Sequence, residues 1–233
     1  VVQVNRPSAR SWAFDLIAPD DAVRARALAR HQALVEGSGA ALRWTNRVWR
    51  EAGTPLPTQP HLAAEMDQAR ADQRWHHDQT LFGHLDRFLD ADLEDEVAHA
   101  LYGPFVVLYL RWEACHPAEW RSPASDLWSP WSRKEVVLRR LGRFGVPEGM
   151  RPDVANLVIT ALHRQYRCKD WMYAQLVPHV ADSGFRARVS ALLHAPDPVI
   201  GLRARFVLDI ADQPERRVTR ATWRRWLELH RLP

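Results

Sequence analysis

After residue 5 the chain has almost no alternation of apolar and polar residues, the pattern a half-buried strand requires. Its apolar residues recur at three- and four-residue spacing, in stretches punctuated by proline and glycine. This pattern predicts an all-α protein. A helix is expected to start at Asp20 or Asp21, to break at "GSG" (37–39), and to resume to about Ala52. "GTPLPTQP" (53–60) is a connector, because its three prolines deny helix hydrogen bonds. Helical spacing returns from Pro60 to Asp90, broken once near "HHDQT". A further helix over 92–102 is expected to end at Gly103-Pro104, followed by the nearly all-apolar helix "FVVLYLRWEACH". Beyond an irregular Trp- and Pro-rich stretch at 117–131, "SRKE" (132–135) has the form of a capping box in which Ser132 bonds forward and Glu135 back. It opens a helix to Phe144 that Gly145 ends. Later helices are predicted at 152–166, 169–181, 184–195, 198–211 and 219–231. "VVQV" (1–4) reads as a short strand or a free arm.

Residues 192–212, "LLHAPDPVIGLRARFVLDIAD", join two predicted helices through Asp-Pro. Asp197 can cap, and Pro198 can take the first helical position, where its missing N–H costs nothing. Ile200, Ala204, Val207 and Leu208 then share a face. This stretch resembles the second helix of a HEAT-type repeat, with Gly201 standing where that family usually has Arg. Weaker echoes are "PDVANLVITAL" (152–162) and "LEDEVAHAL" (93–101), and Leu162 and Leu208 lie 46 residues apart. The match is best over 169–211. The resemblance implies a single domain (1–233) with HEAT-like stacked helix pairs, an α-solenoid, over 132–233. The remainder divides into an arm at 1–19, a less regular N-terminal helical bundle at 20–116, and a Trp/Pro-rich loop at 117–131.

Composition narrows the function classes. Of the 32 basic residues all but Lys134 and Lys169 are arginine, and the net charge is +4, a weak argument for nucleic acid taken alone. Cys115 and Cys168 are far apart and in no metal-ligand spacing, so neither a disulfide framework nor a zinc site is expected, and a cytoplasmic setting is. The longest apolar run, "LYGPFVVLYL" (101–110), is half of the roughly 20 residues a membrane span needs. The eleven tryptophans are expected to fill gaps between helices.

Charge is unevenly spread. Residues 65–96 hold ten acids against Arg70, Arg74 and Arg87, whereas the last 35 residues hold eight arginines against four acids. In the helix after residue 132, Arg133, Arg139, Arg140 and Arg143 are expected on one side, with Val137, Leu141 and Phe144 opposite. In the last helix Trp223, Trp226, Leu227 and His230 oppose Arg220, Arg224 and Arg231. Such faces can track a phosphate backbone or steer an acidic protein. The expected function is therefore a non-catalytic adaptor, without a cofactor, that binds a protein or nucleic acid through a basic C-terminal surface. Trp128 and Trp131 in the neighbouring loop are candidate contacts.

Two enzymatic alternatives follow from other residues. HEAT-like alkyl-DNA glycosylases combine a basic concave surface with aromatic residues and a carboxylate, ingredients that resemble Asp126, Trp128 and Trp131. Two Glu-x-x-His pairs, Glu96 with His99 and Glu113 with His116, have the spacing of di-iron bundles and would be brought level by a hairpin at Gly103-Pro104. The histidine-rich stretch 74–88 is expected to be a solvated helix-turn-helix face.

Overall fold

A computed structural model describes residues 8–121 and 129–230, and within them the chain is all-helical, with no strand. The prospective strand at 1–4 lies outside the described residues. The arm expected at 1–19 is not free from residue 8 onward: Ser8–Ile17 forms a 3₁₀ helix whose Ala13 and Leu16 are buried in the main core.

Helix α1 (Asp21–Ala52) is capped by the Asp20 carboxylate, which accepts from the Val23 N–H at 2.9 Å, and ends at Gly53 with φ 67°. The break expected at 37–39 does not occur. Ser38 and Gly39 are buried, and a Cβ on Gly37 would lie 3.2 Å from His76 Nδ1 of helix α2 (Pro60–Gln79). Close packing there offsets the ~1 kcal/mol that a helical glycine costs. The distal part of the α1–α2 pair has its own small core of Val48, Met66 and Ala69, with Trp44 against it.

Thr80 is the whole joint between α2 and α3 (Leu81–Asp90). Its hydroxyl donates to the His77 carbonyl at 2.7 Å and accepts from the Gly83 N–H at 3.0 Å. A Cβ on Gly83 would sit 2.3 Å from the His77 oxygen, so only glycine admits so sharp a joint. The segment expected to be solvated is buried on one face: Leu81, Phe82, His84, Leu85 and Phe88 all enter the core. Each such apolar side chain contributes about 1.5–3 kcal/mol through burial.

The largest departure from expectation is α4 (Glu96–Cys115), which runs straight through Gly103-Pro104. Pro104 removes one hydrogen bond, at a cost of about 3 kcal/mol. Phe105 to Leu110 are all buried, and that burial outweighs the loss. A Cβ on Gly103 would meet Met150 Sδ at 2.5 Å, so the glycine lets the chain around Met150 approach.

The expected loop at 117–131 is partly helical. Helix α5 (Pro117–Arg121) buries Trp120, and α6 (Pro130–Phe144) starts two residues early, with Ser129 as cap and Pro130 in its first turn. The expected Ser132–Glu135 box is therefore not used. Helix α7 (Arg151–His163) is followed by a 3₁₀ segment, Asp170–Leu176, leading into α8 (Val177–Val180). Helix α9 (Ser183–Ala191) packs on α10 (Pro198–Asp212), which also packs on α7 and α8. Asp197 caps α10 by accepting from the Val199 N–H at 2.8 Å, and Pro198 lies in the first turn, as expected. A Cβ on Gly201 would lie 3.0 Å from the Leu193 carbonyl, so glycine eases the close approach of the preceding turn. Helix α11 (Arg220–Leu229) is capped by Thr219 and Thr222 in a reciprocal box.

Candidate partner-binding surface and the neighbouring charge cluster

The four arginines of α6 do not form one free face. Arg133 pairs with Asp86 of α3, whose other oxygen is 2.8 Å from His77 Nε2. Arg140 donates to the Ala91 carbonyl at 2.6 Å and lies over the Phe144 ring. Arg139 pairs with Glu135 one turn back and is exposed, and Arg143 is exposed over the other approach to Phe144. Two of the four are thus tied to α3 and its C-terminal cap. Trp131 is half-buried, edge-on to Trp120 at 4.9 Å, so it serves the core more than a partner. Asp126 and Trp128 lie outside the described residues.

The two Glu-x-x-His pairs do not come level. Because α4 is continuous, Glu96 and Glu113 are separated by about 25 Å of helix rise. Glu96 and His99 stand at its start, Glu113 lies in its last turn, and His116 is its C-terminal cap. The hairpin that would have joined them into a four-ligand site is absent, and among the described residues no three potential ligands gather.

Glu113 has another role. Its carboxylate, Lys134 and Asp170 are buried together, with Arg164 and Arg167 closing the cluster. Lys134 Nζ lies 2.8 Å from Asp170 and 3.4 Å from Glu113, and also donates to the Cys168 carbonyl at 3.1 Å. Arg164 reaches Glu113 at 2.8 Å and Asp170 at 2.6 Å, and Arg167 reaches the Glu113 backbone oxygen at 2.5 Å. Lys134 and Arg164 both lie over the Tyr173 ring. Burial pushes the Tyr173 hydroxyl well up, so it stays protonated. Burial works against the charge on Arg164, and the Asp170 and Glu113 carboxylates overcome it, holding the guanidinium charged. Paired and hydrogen-bonded in this way, the ions tie α4, α6 and the end of α7 to the 3₁₀ segment. Sequence reasoning missed this cluster, since its members are spread over 113–170. One signal was present: Lys134 is one of only two lysines in an arginine-rich chain.

The loop 164–169 leads from this cluster to the surface. Tyr166 is 42% exposed, stacked against buried Trp223 of α11 with Arg203 on the ring at 5.9 Å. Arg203 is itself buried and donates to the carbonyls of Leu162 and Arg164, closing the end of α7. Trp223 and Trp226 fix α11 on Phe206, with ring centroids 4.9 and 5.5 Å away. The opposite face carries Arg220, Arg224 and Arg225, and Arg217 lies just before it. All four are exposed, and among the described residues none forms an ion pair with a carboxylate. Arg217, Arg225 and Tyr166 were not among the expected contacts, because only the tertiary structure brings Tyr166 beside α11. The expected Arg231 lies outside the described residues.

No known protein family, no curated protein and no solved structure matches this chain. No helix among the described residues is long and apolar enough to cross a membrane.

Proposed function

We propose that the protein is a non-catalytic binding protein that engages single-stranded nucleic acid through α11 and Tyr166. In this reading α7 with α8, and α9 with α10, are HEAT-like stacked pairs that hold the surface rigid. The packing of α10 against α7, α8 and α9 supports that arrangement. The observation that carries the reading is the set of four exposed arginines that have no carboxylate partner among the described residues, on and before a helix whose Trp223 stacks with an exposed tyrosine. Guanidinium groups that form no internal ion pair keep their full charge for phosphates, and a half-exposed ring offers a face on which a base can stack, worth about 1–3 kcal/mol.

The test is fluorescence anisotropy with a labelled single-stranded oligonucleotide at several salt concentrations. Binding should weaken steeply with salt. Arg220→Glu/Arg224→Glu should abolish it at moderate salt and flatten the salt slope, whereas Tyr166→Ala should weaken single-strand binding more than duplex binding. Salt-independent affinity, or full affinity in the double variant, overturns the reading.

A further inference from the structure

A cleft of about 660 Å³ opens between the start of α4 and the connection from α6 to α7, lined by residues that the surface around α11 does not use. Its apolar lining is Phe88, Leu93, Phe144, Val146 and Met150, and of its charged lining residues Glu148 and Arg151 pair with each other at 2.8 Å. This is the size and lining of a small-molecule site. Its polar groups differ in sign and position.

Arg140 is half-buried, and among the described residues it pairs with no carboxylate; one nitrogen donates to the Ala91 carbonyl, leaving other N–H donors free of any ion pair. Glu96 is the matching anion, exposed in the first turn of α4 and likewise without a cationic partner among the described residues. Two further acceptors belong to residues of the lining. Pro104 has no N–H, so the Ala100 carbonyl lacks its donor one turn on, and both residues line the cleft. His179 Nε2 lies 3.2 Å from the Gly142 carbonyl, an acceptor, so in the neutral ring Nε2 holds the hydrogen and Nδ1 is a bare acceptor. Nδ1 faces Gly145: a Cβ built there would lie 3.8 Å from it. Gly145 has φ 97°, a conformation that side chains disfavour, so the backbone itself keeps the space beside Nδ1 open.

We infer that this cleft binds a free α-amino acid with an aromatic or branched apolar side chain. Its carboxylate meets Arg140, its ammonium group meets Glu96 and the acceptors Ala100 O and His179 Nδ1, and its side chain lies among Phe88, Leu93 and Met150. An apolar acid alone leaves Glu96 and the two acceptors unmatched, and an apolar amine alone leaves Arg140 unmatched. The inference is independent of the nucleic-acid surface.

The experiment is titration calorimetry on the full chain with L-phenylalanine, 3-phenylpropanoate and 2-phenylethylamine. Phenylalanine should bind, with each truncated probe weaker by about tenfold or more, since each lacks one charge-assisted contact. Arg140→Met should reduce the affinity for phenylalanine by a similar factor while leaving 2-phenylethylamine unchanged. Because Arg140 also holds Ala91, a second variant is needed: Ala100→Trp fills the cleft from the exposed side of α4, removes no ion pair, and should abolish binding with an unchanged melting curve. Absence of phenylalanine binding at millimolar concentration, equal binding of the truncated probes, or full binding by Ala100→Trp would each overturn the inference.

Discussion

Helices α6 and α11 carry similar sequences to opposite ends. Each is amphipathic, each follows a hydroxyl cap, and each sets several arginines against a tryptophan. On α6, a helix between neighbours, Arg133 and Arg140 are drawn onto Asp86 and the Ala91 carbonyl, and Lys134 is sealed between Glu113 and Asp170. On α11, a helix with one face outside, Arg220, Arg224 and Arg225 are exposed and form no ion pair among the described residues. The pair teaches that an arginine's role follows from what the fold brings to its other side. A basic stripe is evidence of a ligand surface only where the body leaves it without acidic partners.

The comparison is broken most directly at Lys134. Lys134→Met leaves two carboxylates buried with less compensation, and should cost about 3–5 kcal/mol in urea denaturation. A cost below about 1 kcal/mol would show that the interior charges of α6 are no more binding than those of α11.

His31 extends the contrast to a neutral polar group. It is buried among Trp12, Phe82 and Trp112, and burial lowers its pKa from 6.5 to about 4. The unfolded chain therefore takes up this proton at a higher pH than the folded one. The stability linked to His31 is complete above about pH 6.5 and declines by up to about 1.4 kcal/mol per unit as pH falls toward 4, roughly 3 kcal/mol in all. His31→Leu should flatten that part of the stability–pH curve, measured by denaturant titration between pH 4 and 7.

Smaller effects separate the two helices more finely. Arg133→Ala should cost about 1–2 kcal/mol by removing a partly buried ion pair, with no change in nucleic-acid affinity. Arg220→Glu/Arg224→Glu should do the reverse, moving stability by about 0.5 kcal/mol or less while removing binding. If both variants shift stability alike, the distinction between inward and outward arginines fails.

The sequence was most informative where local chemistry and the fold agree. Asp197-Pro198 sets the start of α10 because the cap and the ring act on their own backbone, whatever lies around them. The all-helical character follows in the same way, from a spacing repeated along the chain. The local rules failed where neighbours outweighed them. Gly37 to Gly39 signal a break and instead sit inside α1, packed under α2; Pro104 signals an end and instead sits inside a helix whose following turns are wholly buried. Ser132 signals a cap that Ser129 takes. The candidate surface was half legible: Arg220 and Arg224 stand out from helical spacing, whereas Tyr166 is more than fifty residues away in sequence.

By itself, then, the sequence determined the helix class, the capped turn before α10 and the outward face of α11, all consequences of interactions within a few residues. The tertiary structure alone decided that Glu113 answers Lys134 and Arg164 and not His116, that α6 spends Arg133 and Arg140 on α3 and its C-terminal cap, and that Glu96, Arg140 and His179 border one cleft. The physical reason is range. Caps and helical periodicity are set within one or two turns, whereas desolvation and ion pairing depend on which distant segments exclude water from the same place.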